Sequence, residues 1–173
     1  MRHWKGKPST SILRAYMAKL LLDTSVYILK LRGQLASEIE EQLRRALPLT
    51  FLASVVAYEL YRGAIDRAGK RLINHLVTPF EKTGRVITPS HGNWRDAARI
   101  VTALLRTEPS LATKVPALQN DTLIALSARH VGATVWTSDA EDFSLIRQQR
   151  PFRLRIVERR SSRPAQYTGK PHR

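Results

Sequence analysis

Short apolar runs alternate along the chain with stretches in which apolar residues recur every three or four positions. The runs predict buried strands, and they lie at 20–22, 49–53, 85–88, 133–136 and 154–157. The periodic stretches predict helices at 26–31, 37–47, 55–67, 69–80, 94–106, 119–130 and 143–148. Because strands and helices alternate, we expect an α/β fold with a central, mostly parallel sheet.

Polar and helix-breaking residues predict where these elements begin and end. The predicted helix N-caps are Ser37, Ser54 and Asn93. Gly132 is predicted to end the helix that precedes the 133–136 strand. Two segments predict loops: 107–118, which contains two prolines, and 137–142.

Composition limits the kind of protein this is. A chain of 173 residues fits one domain, and the absence of cysteine excludes disulfides and thiolate zinc sites, which favours a cytoplasmic location. The longest apolar run is too short to span a bilayer. The net charge of +15 attracts polyanions, so nucleic acid is the first candidate partner, with an anionic membrane surface or an acidic protein as alternatives.

Much of this charge lies at the two ends. Residues 1–16 carry +4 and residues 159–173 carry +5, which leaves +6 for 17–158. We expect 1–16 to be a basic, disordered extension, either a true arm or a leader from an upstream start codon. The polar, proline-containing segment 159–173 is predicted to be a disordered tail, and 17–158 the folded domain.

Two acids follow predicted strands. Asp23 comes directly after the 20–22 strand, and Asp139 lies just beyond the 133–136 strand. In open parallel sheets, ligands bind at the carboxyl ends of the strands. We therefore expect both carboxylates at the functional edge, joined by Asp142 one helical turn further on.

Two other acids share the apolar faces of predicted helices. Glu59 lies one turn after Val55 and Val56, and Asp121 lies one turn before Ile124. A carboxylate among apolar side chains is costly unless something compensates its charge. This placement points both acids towards the interior.

Several inward carboxylates repel one another, and a divalent cation removes that penalty. Oxygen ligands select Mg²⁺ or Mn²⁺ rather than zinc. In a protein that attracts polyanions, such a site indicates phosphodiester hydrolysis, with the metal activating water. Each acid also has a local alternative, as a turn residue, a helix cap, a first-turn acid or an ion-pair partner. Only their combination favours a site.

Three segments carry a resemblance to a known family. They are KLLLDTSVYI with Asp23, ASVVAYELYRGA with Glu59, and NDTLIALSARHVGATVWTSDAEDFSLI with Asp121, Asp139 and Asp142. The first four acids are spaced 36, 62 and 18 residues apart. In this order and spacing, the segments resemble the motifs of a PIN-domain ribonuclease of the VapC toxin type, over about residues 18–157.

The resemblance implies a three-layer α/β/α fold and an endoribonuclease that depends on Mg²⁺ or Mn²⁺. It implies catalytic and metal-binding roles for Asp23, Glu59, Asp121 and Asp139, with Asp142 as a further metal ligand; it does not separate Asp139 from Asp142. Thr24 and Thr137 match hydroxyl positions that support the metal shell, with local backbone capping as the alternative. It also implies an RNA substrate, a homodimer and a cognate antitoxin protein.

The sequence also allows other functions. A phosphatase of the haloacid dehalogenase type needs a second Asp two residues after Asp23, where this chain has Ser25. A PIN-like protein that binds or processes RNA without arresting growth is a closer alternative, and a DNA-binding protein a more distant one. Trp94 and Trp136 are predicted core residues, with base stacking as the alternative. The apolar residues of 55–80 predict either core or an interface for a dimer or antitoxin.

Overall fold

Five strands form one sheet in the computed structural model, which describes residues 18–160. The strands are β1 (Leu20–Leu22), β2 (Thr50–Ala53), β3 (Val86–Ile87), β4 (Thr134–Thr137) and β5 (Arg153–Ile156). They are ordered β3-β2-β1-β4-β5, and every neighbouring pair is parallel. The predicted parallel α/β architecture is confirmed.

Seven α-helices connect and flank these strands in the described part of the chain. They are α1 (Thr24–Leu31), α2 (Ser37–Ala46), α3 (Ser54–Gly63), α4 (Arg67–Lys82), α5 (His91–Thr107), α6 (Val115–Val131) and α7 (Ala140–Gln149). Two short 3₁₀ turns, Leu47–Leu49 and Pro109–Lys114, precede β2 and α6.

The centre of the sheet is also the centre of the core. All three residues of β1 are buried, as expected for a middle strand that is covered on both faces. The chain winds from β1 through β2 to β3, then crosses to β4 on the other side of β1. The order therefore reverses between β1 and β4, and their carboxyl ends border the crevice where open α/β sheets bind ligands.

Three predicted N-caps are wrong. Ser37 and Ser54 are the first residues of α2 and α3, because the helices start one residue earlier than expected. In α5 the cap is Ser90, whose hydroxyl accepts a hydrogen bond from the Asn93 amide at 3.2 Å. Asn93 therefore lies inside the helix, and α5 gains a turn at its start.

Other predicted boundaries also shift. The helix expected over 55–67 ends at Gly63, and Asp66 caps a separate α4 by accepting from the Gly69 amide at 2.6 Å. The predicted loop 107–118 instead holds a 3₁₀ turn and the start of α6, where Pro116 is tolerated because first-turn amides have no helical partner. The predicted loop 137–142 becomes helical at residue 140.

Backbone contacts continue slightly past the predicted domain end at 158. Arg159 pairs with Leu35 in an isolated bridge, and the Arg160 amide donates to the Gln34 carbonyl at 2.9 Å. The predicted extension at 1–16 and tail segment 161–173 lie outside the described residues, so the domain boundaries stay a prediction. Across residues 18–160, each helix is too short or too polar to cross a membrane.

Candidate metal centre and active site

Asp23 lies at the carboxyl end of β1, where it caps α1 and is 5% exposed. Its carboxylate accepts hydrogen bonds from the Thr24 amide (2.6 Å), the Ser25 hydroxyl (2.6 Å) and the Thr137 hydroxyl (2.8 Å). Burial raises the pKa of Asp23, and these hydrogen bonds oppose that rise. The side chain is therefore held in one orientation by donors from β4 as well as from its own turn.

Hydroxyl groups join the ends of β1 and β4. The Thr137 hydroxyl, which donates to Asp23, also accepts from the Asp139 amide at 2.9 Å. The Ser25 hydroxyl likewise accepts from the Ser138 amide at 3.0 Å. The sequence analysis considered Ser25 only because a phosphatase of the haloacid dehalogenase type would have Asp at this position, and it did not predict a role for the hydroxyl. The position of Ser25 two residues after a possible N-cap Asp was a signal that could have indicated one.

Glu59 projects from the second turn of α3, which directly follows β2, and is partly buried. The Thr24 hydroxyl donates to one carboxylate oxygen, and the Asn120 side-chain amide donates to the other at 2.7 Å. Asn120 was not predicted as a site residue, although its position beside Asp121 was a usable signal. Together these donors orient Glu59 towards the carboxyl ends of the strands.

Asp121 lies on α6 and interacts electrostatically with the other four acids. Burial first, and then the negative charges of Asp23, Asp139, Glu59 and Asp142, raise its pKa to about 8. Carboxylate oxygens of Asp121, Asp139 and Asp142 all lie within 4.8 Å of one another. The fold therefore brings all five predicted acids into one electrostatic cluster, which is called the acid cluster below.

Asp139 and Asp142 occupy different environments within the acid cluster. Asp139 is exposed and caps α7, accepting from the Asp142 amide at 3.2 Å. The Asp142 side chain is buried, and Lys114 Nζ lies 3.5 Å from its Oδ1. Attraction to Asp142, and then to Glu141, raises the pKa of Lys114. Lys114 was missed because it lies in a segment predicted to be a loop.

The acid cluster suits a hard divalent cation. Its side chains offer only oxygen ligands, and Lys114 is the one cation in ion-pair contact with them among the described residues. The raised pKa of Asp121 reflects its burial first, and then the negative charge of the neighbouring acids. Such a donor set favours Mg²⁺ or Mn²⁺ over zinc.

The two tryptophans within the described residues have different environments. Trp136 is buried, with the Arg155 guanidinium 4.1 Å from its ring centroid, so its predicted core position is confirmed. Trp94 is 48% exposed, and its predicted core position is wrong. It lies in the first turn of α5, ahead of Ala97, where the buried stripe of that helix begins.

Comparison with known proteins finds similar folds among solved structures. No protein-family model matches the chain, and no curated protein matches its sequence. Solved structures do match. A chain of DNA-bound VapBC from Salmonella typhimurium is 21% identical, with a TM-score of 0.58, over 81% of this chain and 98% of that one.

Two further structures agree with the first. A chain of FitAcB from Neisseria gonorrhoeae is 23% identical, with a TM-score of 0.56, over 73% of this chain and 92% of that one. A chain of VapBC2 from Rickettsia felis, bound to a promoter DNA fragment, is 18% identical, with a TM-score of 0.56, over 80% and 98%. The likeness confirms the predicted PIN-like three-layer α/β/α fold, and so confirms the resemblance to VapC-type proteins at the level of the fold.

Proposed function

We propose that the protein is a metal-dependent endoribonuclease, the toxin of a toxin–antitoxin pair. The observation that carries this proposal is the convergence of five acids from distant parts of the sequence at the carboxyl ends of β1, β2 and β4. Burial, and then repulsion from the other four acids, raises the pKa of Asp121 to about 8. Such concentrated, uncompensated charge in a crevice is typical of functional sites.

In this proposal Asp121, Asp139 and Asp142 hold Mg²⁺ or Mn²⁺ together with Asp23 and Glu59. The bound metal supplies Lewis-acid stabilisation of the phosphodiester and activates water for attack. No side chain acts as a covalent nucleophile.

The remaining site residues act as positioning groups. Thr137 and Ser25 fix Asp23, while Thr24 and Asn120 fix Glu59. Donors that orient metal-binding carboxylates sustain metal affinity. The contacts of Thr24 with Glu59 and of Thr137 with Asp23 support the proposal that these hydroxyls orient metal ligands.

The proposal includes protein partners. The chains with the same fold come from VapBC and FitAcB complexes, which supports a cognate antitoxin for this protein. Within 55–80, Val55, Val56 and Ile73 are buried, whereas Tyr61, Ile65 and Leu72 are exposed. We propose that these exposed side chains belong to an antitoxin or homodimer interface, and that the protein acts in the cytoplasm, where its RNA substrate is found.

Cleavage of RNA with and without divalent metal tests the proposed function. Wild-type protein is expected to cut single-stranded RNA with Mg²⁺ or Mn²⁺ and to stop when a chelator is added. Asp23→Asn and Glu59→Gln are expected to lose at least about 100-fold in rate, because each removes a charge that holds the metal. Equal cleavage by wild type and both variants would indicate a contaminating nuclease and refute the proposal.

Matched controls lie on the same chain. Glu40→Gln changes an exposed glutamate of α2, and Asp96→Asn changes a surface aspartate whose partners are Arg99 and Arg150. Both variants are expected to cut at the wild-type rate. Expression in a host then separates a toxin from an RNA-processing enzyme: growth arrest that depends on Asp23 supports the toxin, whereas metal-dependent cleavage without arrest favours the alternative.

A further inference from the structure

A cleft of about 740 Å³ opens beside the acid cluster, between α3, α5 and α6. Glu59 and Asn120 line it, so the cleft begins at the proposed active site. Lys114, which contacts Asp142, lines it as well. Its volume is that of a typical ligand site. Whatever binds here therefore lies directly against Glu59, one of the acids proposed to hold the metal.

Two aromatic side chains line this cleft and remain accessible. Tyr58 of α3 is 61% exposed, and Trp94 of α5 is 48% exposed. Apolar residues, including Val55, Pro89 and Pro116, complete the lining between them. Large aromatic surfaces left open in a concave site are binding elements more often than packing elements.

The charge of the cleft narrows the choice of ligand. Arg62 and Lys114 are its cationic lining residues, and Glu59 is the one acid among the residues that line it. The Arg62 guanidinium lies 5.9 Å from the centroid of the Tyr58 ring. Aromatic faces next to cations are the groups with which proteins hold single-stranded nucleic acid, the rings stacking on bases and the cations contacting phosphates. The net positive charge of the chain adds a long-range attraction for the negatively charged RNA.

We propose that Trp94 and Tyr58 form a stacking subsite for unpaired bases of RNA beside the scissile phosphate, with Arg62 contacting the backbone. The inference rests on the proposed nuclease function and adds a substrate requirement. A base in a duplex has both faces covered by its neighbours, so only an unpaired base offers a face to these rings. The subsite therefore selects single-stranded segments or loops over duplex RNA.

Equilibrium binding of a labelled single-stranded oligoribonucleotide tests the subsite. Fluorescence anisotropy is measured in the presence of Mg²⁺. Every protein carries Asp23→Asn, which prevents cleavage of the RNA. Trp94→Leu and Tyr58→Leu are each expected to weaken binding by about 5- to 100-fold, the range for loss of one stacked base. Trp94→Phe keeps an aromatic face and is expected to retain most of the affinity. Leu47→Ala changes an exposed apolar residue of the 3₁₀ turn before β2 that does not line the cleft, and it is expected to bind as before.

An RNA with abasic nucleotides and a duplex RNA distinguish base stacking from general electrostatic attraction. Abasic nucleotides at the positions nearest the cut are expected to weaken binding to the parent protein but not to the double variant Trp94→Leu/Tyr58→Leu, because the double variant has lost both stacking rings. A duplex of the same sequence is expected to bind the parent protein more weakly than the single strand. Equal affinity of the parent protein for the single strand and the duplex overturns the proposal. So does a Trp94→Leu variant that binds the single strand as tightly as the parent protein. Loss of antitoxin binding without loss of RNA binding in that variant would overturn it in favour of a protein-docking cleft.

The outcomes distinguish this inference from the proposed function. If wild type cuts RNA with metal and Trp94→Leu cuts with an unchanged KM, the subsite is wrong and the nuclease stands. If Trp94→Leu weakens base-dependent RNA binding but wild type does not cut, the subsite stands and the nuclease is wrong.

Discussion

The Thr137 hydroxyl donates a hydrogen bond to Asp23 at 2.8 Å and so joins two residues that are 114 positions apart in sequence. The same oxygen accepts from the Asp139 amide at 2.9 Å. One buried side chain thus sets the relative positions of two acids on neighbouring strand ends. The geometry of the acid cluster depends on this contact as well as on the acids themselves.

Replacing Thr137 with Val is expected to lower Mn²⁺ affinity and RNA cleavage by about 10- to 100-fold, the usual effect of removing a group that orients metal ligands. The folded state is expected to lose about 1–3 kcal/mol, because the Asp139 amide and a buried carboxylate each lose a partner. Calorimetric titration with Mn²⁺ and urea unfolding measure the two effects. Thr50→Val is the control, since that buried hydroxyl donates to the Ala46 carbonyl at 2.9 Å and lies at the end of β2 remote from the acids. Equal metal affinity in the two variants would contradict the positioning role.

Asn120→Ala is expected to slow cleavage by about 10- to 100-fold, because Glu59 loses its 2.7 Å donor and can rotate away from the metal. The matched control is Gln119→Ala, the neighbouring residue on α6, which lines the same cleft. Single-turnover cleavage under saturating metal separates the two variants. A rate loss shared by both would indicate that the cleft, rather than the orientation of Glu59, is responsible.

Asp121→Asn is expected to stabilise the metal-free protein, and more so as the pH rises from 5 to 8. In the folded state the pKa of Asp121 is raised to about 8, against about 3.9 in the unfolded chain. Between these values the folded protein must take up a proton or hold an unfavourable charge, so stability falls as pH rises. Thermal unfolding in the presence of a chelator at pH 5 and at pH 8 measures the difference in unfolding temperature between the variant and wild type.

A gap that stays constant between pH 5 and pH 8 would contradict this account. Added Mn²⁺ provides the internal control, because it compensates the same charge. Mn²⁺ is expected to raise the unfolding temperature of wild type at pH 8 and to have much less effect on Asp121→Asn.

Asp142→Asn is expected to weaken Mn²⁺ binding more than Asp139→Asn does. Both carboxylates belong to the acid cluster, but Asp142 is buried and Asp139 is exposed, and a buried charge is screened less by water. Titration calorimetry on the two variants gives the comparison. A larger loss of Mn²⁺ affinity in Asp139→Asn than in Asp142→Asn would show that Asp139 is the stronger metal ligand and contradict the prediction.

Asp139 has a second role as the cap of α7. Asn caps helices about as well as Asp, so Asp139→Asn is expected to unfold at the wild-type urea concentration. Asp139→Ala is expected to lose about 1 kcal/mol, because the Asp142 amide then lacks its acceptor. Equal stability of the Asn and Ala variants would indicate that the cap contributes nothing.

Much of the fold was predictable because local patterns carried it. The apolar run of β1, the periodic stripe of α5 and the glycine that ends α6 each reflect a constraint within a few residues: burial on both faces, one buried helix face, and a positive φ of 68° at Gly132. Helix starts were less predictable. Ser54 has a residue type that caps helices, but the turn from β2 into α3 determines which residue takes that role.

The identities of the five acids also follow from the sequence. Four of them are anomalous locally: Asp23 and Asp139 follow strands, and Glu59 and Asp121 stand on apolar helix faces. The fifth, Asp142, lies one helical turn after Asp139. What surrounds them does not follow. The Asn120 contact with Glu59, the Ser25 contact with Ser138 and the Lys114 contact with Asp142 join segments that are far apart in the chain.

By itself, then, the sequence determined a parallel α/β fold and a set of misplaced carboxylates, because burial and periodicity are local and are visible in short stretches. Only the tertiary structure decided that Trp94 faces a cleft rather than the core, that Asp142 is buried while Asp139 is exposed, and that Thr137 joins Asp23 to Asp139. These features depend on the order β3-β2-β1-β4-β5, which brings strand ends from opposite halves of the chain side by side. Pairing across such distances is set by the packing of the whole domain and leaves no mark in any single segment.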